Sequence, residues 1–151
     1  MYLAHSFMSD ETQQNSHQPL ILAVEDHDDS LLLISYALDS MGYRFICQTD
    51  CSTTVLVAKE YQPDLILLDI LLPGLSGIDV VRHLKQEPLT CTIPVVAVTA
   101  LASTEDRERI LKAGFNDYIS KPYMLEELEA IIRRGLERKF APYPALKVCQ
   151  D

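Results

Sequence analysis

Glu25, Asp26, Asp69, Thr99 and Lys121 are the residues whose types suit chemistry, and each closes or follows a short apolar run. LILAV at 20–24 leads into Glu25 and Asp26, LILL at 65–68 into Asp69, PVVAVT at 94–99 ends in Thr99, and the segment 117–120 precedes Lys121. Unbroken Leu/Ile/Val runs of that length read as strands buried on both faces of a parallel sheet. Parallel strands place their carboxyl ends on one edge, where open sheets bind ligands, so these side chains meet there. Three crowded carboxylates stay ionised only beside cations. Mg2+ suits them: it takes hard oxygen ligands through one or two carboxylates and keeps waters that a phosphate can replace. With Lys121 as a point charge and Thr99 as a hydroxyl donor, the set reads as an electrostatic clamp for a phosphoryl group. A helix-capping role for Asp69 fails on distance, because the helical pattern resumes only near Ser76.

The elements that must position these groups alternate along the chain. Leu31, Ile34, Leu38 and Met41 recur at helical spacing, with Asp28 or Asp29 as a cap and Gly42 as the stop. A strand at 43–47 follows, then a helix capped by Ser52 that carries Val55, Leu56 and Ala58 and ends before Pro63. Beyond Asp69, Pro73, Gly74 and Gly77 force a tight loop. The next helix runs through Ile78, Val81 and Leu84 and is finished by Pro88. Ser103 and Asp106 form a capping box for a helix that stops at Ala113-Gly114. The last helix turns Leu125, Leu128, Ile132 and Leu136 inward. Glu126 and Glu127 in its first turn, and Arg133, Arg134 and Arg138 towards its end, suit the helix dipole. Five strands alternating with five helices predict a doubly wound, five-stranded parallel α/β sheet over residues 19–139. Residues 1–18, rich in polar side chains, read as a mobile leader in which Met8 is an alternative start, and 140–151 as a tail.

Composition narrows the partners. Thirteen basic against 22 acidic residues give a net charge of −9, which disfavours a nucleic-acid surface and favours cationic partners or a bound divalent cation. Cys47, Cys51, Cys91 and Cys149 show no metal-site spacing and read as small hydrophobes of a reducing compartment. No run approaches the roughly 20 apolar residues that span a bilayer, and the N-terminus lacks the basic start of a signal peptide, so a cytoplasmic protein without membrane contact is expected.

VED at 24–26, LDILLPGLSG at 68–77, VTA at 98–100 and DYISKP at 117–122 together resemble the receiver domain of bacterial response regulators, the CheY-like family. The resemblance covers about residues 20–138 and is specific as a combination. It implies a flavodoxin-like (βα)5 fold with strand order 2-1-3-4-5, an order that comes from the family and not from the residue pattern. It implies that Asp69 accepts a phosphoryl group from a sensor histidine kinase or phosphotransfer protein. Asp26, Asp69 and the backbone carbonyl of Leu71 would ligate Mg2+, with Glu25 acting through water. Lys121, preceding a cis peptide to Pro122, would neutralise a phosphoryl oxygen; Thr99 would bind another and Tyr118 would follow it inward as a switch. A downstream protein would read the change on the face of the fourth helix, fifth strand and fifth helix. Tyr118 as an ordinary core aromatic is the plainer alternative.

Leu71 and Leu101, two residues beyond Asp69 and Thr99, are apolar and cannot orient a hydrolytic water, so slow self-dephosphorylation is expected. The implied protein is a two-component response regulator of stand-alone type that catalyses only its own phosphorylation and slow dephosphorylation. A phosphorelay shuttle is the nearest alternative. An aspartyl-phosphate hydrolase would want a second acid where Leu71 stands, and a flavin-binding protein would want an anion cradle where EDHDD repels anions. His27 beside the acids reads as a loop histidine that could tune them; His5, His17 and His83 have no metal spacing; Asp28 and Asp29 read as caps or solvated charges, and Arg107, Arg109 and Lys112 as a solvated helix face or docking surface.

Overall fold

The structure, a computed structural model, describes residues 2–3, 18–70, 76–100 and 103–140. Its six strands are β1 (Tyr2–Leu3), β2 (Leu20–Val24), β3 (Arg44–Gln48), β4 (Leu65–Asp69), β5 (Val95–Thr99) and β6 (Asp117–Ser120). Its helices are α1 (Asp28–Ser40), α2 (Thr54–Tyr61), α3 (Gly77–Gln86), α4 (Thr104–Ala113) and α5 (Leu125–Phe140). The strands lie in the order β1-β3-β2-β4-β5-β6. β2 to β6 are mutually parallel, and counted alone they run 2-1-3-4-5. The expected doubly wound sheet is therefore present.

Alternation along each strand sorts the apolar side chains into two cores. Leu22, Val24, Ile66, Leu68, Val95 and Ala97 face one way, packing with Val80, Val81 and Leu84 of α3 and Ile110 of α4. Ile21, Ala23, Leu65, Leu67, Val96 and Val98 face the other, against Leu31, Ile34 and Leu38 of α1 and Leu128, Ile132 and Leu136 of α5. Both faces of β4 and β5 are buried along their whole length, which explains why those strands appear in sequence as continuous apolar runs and not as alternating ones.

Helix ends follow local chemistry, with two departures from expectation. Ser103 Oγ accepts from the Asp106 amide while the Asp106 carboxylate accepts from the Ser103 amide, the capping box expected there. Gly42 (φ 86) and Gly114 (φ 121) end α1 and α4 in conformations that side chains resist. The expected cap of α1 by Asp28 or Asp29 is not found: both lie in its first turn, and the capping position is His27, whose side chain makes no capping bond. Nor does Ser52 cap α2. Asp50 accepts from the Ser52 amide to start a 3-10 turn, Cys51–Thr53, that leads into the helix. Its carboxylate is the better acceptor, and the hydrogen bond from the Ser52 amide holds the Asp50 pKa down.

Within the stretch read as a mobile leader, Tyr2–Leu3 pairs antiparallel with β3, Tyr2 opposite Cys47 and Leu3 opposite Ile46. The rest of the leader up to residue 17, the tail beyond Phe140, and Leu71, Pro73, Gly74 and Leu101 lie outside the described residues. Cys47 and Cys51 are buried. Burial raises the Cys47 pKa to about 11, which makes it an inert thiol.

Candidate functional site

Parallel order delivers the chemistry-bearing residues to one edge. The sheet order reverses at β2, which is flanked by β3 on one side and β4 on the other. Glu25 and Asp26 leave β2 at that switch point, and Asp69 ends the neighbouring β4. Thr99 ends β5 next along the sheet and is fully buried. Lys121 follows β6, and its amide donates to the Thr99 carbonyl at 2.8 Å, which fixes the base of the lysine against the end of β5. The Lys121–Pro122 peptide is cis.

The side chains converge as the residue types require. Lys121 Nζ lies 3.1 Å from Glu25 Oε1 and 3.4 Å from Asp69 Oδ2, bridging the two strand ends. Glu25 and Asp69 are almost wholly buried, 1% and 4% exposed, so their charges need that ammonium. Burial lowers the Lys121 pKa, but the hydrogen bond to Glu25 and the charges of Asp69 and Glu25 outweigh it, so the pKa is raised and the lysine is firmly cationic. The second Glu25 oxygen, Oε2, turns the other way: it lies 3.4 Å from both the amide and Nδ1 of His27.

Asp26 tests whether a cation belongs here. Its Oδ1 is buried yet makes no hydrogen bond, although His27 Nδ1 is 3.4 Å away. A buried carboxylate oxygen without a donor is the kind of group that a hard cation satisfies. The residues present thus fit Mg2+, with Asp26 beside Glu25 at the end of β2 and Asp69 at the end of the neighbouring β4.

Gly77 determines how closely the start of α3 can approach the end of β4. A side-chain carbon there would lie 2.7 Å from the Asp69 carbonyl oxygen and 2.8 Å from Ile70 Cα. The Gly77 amide donates to the Ile70 carbonyl at 2.9 Å, and Ser76 Oγ accepts from the Asp79 amide to start α3. The glycine reads in sequence as a loop breaker; in the fold it is a point of backbone contact beneath the carboxylate.

Tyr118 is partly buried against the core under α3 and α4, with the Arg107 guanidinium 5.6 Å from its ring centre. It also lines a groove with Pro122, Glu127, Ile131 and Arg134 between β6 and α5. Sequence reasoning took Arg107 for part of a charged face and could not see this stacking, because the two residues belong to different elements. The His27 contacts were likewise only half visible: adjacency to the acids showed, the direction of the ring did not.

The model of the response regulator receiver domain matches residues 21–133. The phosphate regulon transcriptional regulatory protein PhoB of Escherichia coli is 42% identical over 118 residues, 78% of this chain and 52% of that protein. The alkaline phosphatase synthesis transcriptional regulatory protein PhoP of Bacillus subtilis is 33% identical, covering 87% of this chain and 54% of its own. The chain spans about half the length of these curated relatives. Among solved structures, the receiver domain of the sensor histidine kinase PA1611 of Pseudomonas aeruginosa is 36% identical with a TM-score of 0.74, over 79% of this chain and 98% of that one, and carries a magnesium ion in its active-site cleft. The Vibrio cholerae chemotaxis protein CheY4, 23% identical at a TM-score of 0.75 over 79% of this chain and 99% of that one, shares the fold. Among the described residues, no helix is long and apolar enough to cross a membrane.

Proposed function

Because the chain belongs to the response regulator receiver family of two-component systems, we propose that Asp69 is the phosphoacceptor of a protein-binding switch. The observation that carries this reading is the Lys121 ammonium held between Glu25 Oε1 and Asp69 Oδ2 at 3.1 and 3.4 Å. An Asp69 oxygen attacks the phosphorus of a phosphohistidine on a sensor kinase or phosphotransfer protein. The P–N bond breaks as the O–P bond forms, and the departing imidazole retains the electron pair of the P–N bond. Asp26, Asp69 and the Leu71 carbonyl are the groups that would hold Mg2+, with Glu25 acting through water, and the ion when bound would supply a hard positive centre for the developing phosphoryl charge. Lys121 stays paired with the new phosphoryl oxygens, and the Thr99 hydroxyl donates to another.

Phosphorylation adds about −1.5 to −2 charge at this edge. Lys121 and Thr99 reorganise around it, and Tyr118, two residues from Ser120 at the end of β6, moves with them, altering the α4–β6–α5 face that a downstream protein reads. The chain acts catalytically only on itself, and the apolar Leu71 and Leu101 make the loss of its phosphoryl group slow. Passing the group on to a further histidine is the neighbouring reading. It is supported by the similarity to a receiver that belongs to a histidine kinase.

The test is intact mass after incubation with a small-molecule phosphodonor, with and without Mg2+. A single Mg2+-dependent phosphoryl adduct that is lost in Asp69→Ala is expected; no adduct under any condition refutes the proposal.

A further inference from the structure

Arg107 stands where a guanidinium gains little from its own helix. Ser103 caps α4, and the Arg107 amide donates to the Ser103 carbonyl at 3.0 Å, so the side chain leaves the helix beside its amino end. A cation there opposes the helix dipole. The positions three and four residues away on either side hold Ser103, Thr104, Ile110 and Leu111, and none of these is an acid. Asp106, the nearest acid in the chain, is committed to the capping box and lies 3.8 Å from Arg109 Nη2. Among the described residues, the ion pairs of α4 and α5 join Arg109 to Asp106, Arg133 to Glu129 and Arg134 to Asp117, and Arg107 enters none of them. Its guanidinium meets the Tyr118 ring instead, 5.6 Å from the ring centre.

The backbone of Tyr118 is held from two sides. It pairs with Ala97 of β5, and its amide donates to Asp117 Oδ1 at 3.0 Å. The other Asp117 oxygen accepts two hydrogen bonds from Arg134, at 3.0 and 2.8 Å. The ring is therefore the part of Tyr118 left to move. Arg107 is exposed, whereas Thr99 is wholly buried, so a ring that turns towards Thr99 turns away from the guanidinium. A guanidinium over an aromatic face at an exposed site weights an equilibrium by about two- to fivefold. A ring position away from Arg107 forgoes that factor.

We propose that Arg107 is a positioning residue that holds the Tyr118 ring in its present place and so sets the resting balance of the switch. The inference rests on the reading of Tyr118 as the moving part and adds the residue that opposes the movement. Arg107 acts through the ring and touches neither the phosphoryl group nor the ion. With the guanidinium in place, the inward ring position is populated about two- to fivefold less than without it. A ligand that favours the inward state works against that balance, so the same factor enters the rate at which Asp69 is phosphorylated.

The test is the rate of adduct formation on the full chain with a small-molecule phosphodonor and Mg2+, in the wild type, Arg107→Ala, Arg107→Lys, Tyr118→Leu and the Arg107→Ala, Tyr118→Leu double variant. The NMR signals of the Tyr118 ring carbons, taken without phosphodonor, are the second readout. Circular dichroism confirms that each variant is folded. Arg107→Ala is expected to be phosphorylated about two- to fivefold faster and to move the resting Tyr118 signals towards their place in the phosphorylated wild type. Arg107→Lys keeps the charge without the planar face and is expected to fall between the two. In the Tyr118→Leu background, loss of Arg107 is expected to leave the rate unchanged, because the stack is already gone. An unchanged or slower rate in Arg107→Ala, Tyr118 signals that do not move towards the phosphorylated position, or an acceleration that persists in the Tyr118→Leu background would overturn the proposal, the last by tracing the effect to surface charge. An absent adduct in the wild type would refute the receiver reading, whereas the resting Tyr118 signals need no phosphodonor and would still report on Arg107.

Discussion

Replacing Gly77 by Ala should loosen the phosphoacceptor end of β4, and the structure sets the size of the effect. The added methyl would sit 2.7 Å from the Asp69 carbonyl oxygen, 2.8 Å from Ile70 Cα and 3.3 Å from the Asp69 carbonyl carbon. All three are backbone atoms, so relief requires the start of α3 to move several tenths of an ångström away from the strand. Overpacking of this kind costs about 1–3 kcal/mol. Ala in a helix recovers roughly 0.5–1 kcal/mol relative to Gly, so the net loss should be about 1–2 kcal/mol. Urea unfolding should show a lower midpoint with an unchanged slope. Because the displaced atoms carry Asp69, Mg2+-dependent phosphorylation should also slow.

Gly135→Ala is the matched control. Its methyl would lie 2.5 Å from Cδ1 of the buried Leu65 and meet no backbone atom of the site, so it should cost about 1–3 kcal/mol by core overpacking and leave phosphorylation unslowed. A Gly77→Ala protein as stable and as readily phosphorylated as the wild type would refute the close-contact argument.

Further outcomes follow from other elements. Lys85 sits at the edge of the sheet opposite the site, its ammonium donating to the carbonyls of Ile93 and Cys91 and to Asn116 Oδ1, and burial lowers its pKa to about 8. Between about pH 8 and 10.5 the unfolded chain keeps a proton that the folded chain releases, so stability rises with pH there, by at most about 3 kcal/mol; urea unfolding at pH 7.5 and 9.5 should show the rise in the wild type and not in Lys85→Met. Ser103→Ala removes one half of the α4 capping box and should lower stability by about 1 kcal/mol, read as a fall in the thermal midpoint. Leu71→Asn offers a hydrogen bond to the hydrolytic water, and should shorten the phosphoryl half-life by about tenfold, followed by the decay of the mass adduct.

Much of the frame was legible because parallel strands buried on both faces leave unbroken apolar runs, and because their carboxyl ends must share one edge. Glu25, Asp69 and Lys121 could be grouped on that basis alone. The positive-φ glycines and the Ser103 cap were legible because their signals lie within a few residues of the ends they make. β1 was not, since two residues pairing antiparallel at an edge leave no period to read. The missing cap of α1 was hidden for another reason: His27 faces the preceding acids, and local propensity says nothing of that preference. Lys85 left no signal in the sequence, because the oxygens that receive it come from residues 91, 93 and 116. Gly77 was legible as a breaker, but the contact that requires it is between the start of α3 and the backbone of Asp69 and Ile70, which exists only in the fold.

β1 has a consequence for self-association. By pairing with Cys47 and Ile46 it occupies main-chain groups along the β3 margin of the sheet, while β6 stands at the opposite margin. Strand addition, the route by which sheets recruit another chain, is thereby biased to the β6 side, next to the surface through which the switch is proposed to speak. Removing residues 1–7 would bare the second margin. The shortened chain should then self-associate more readily than the longer one, read as a rise in sedimentation coefficient with concentration.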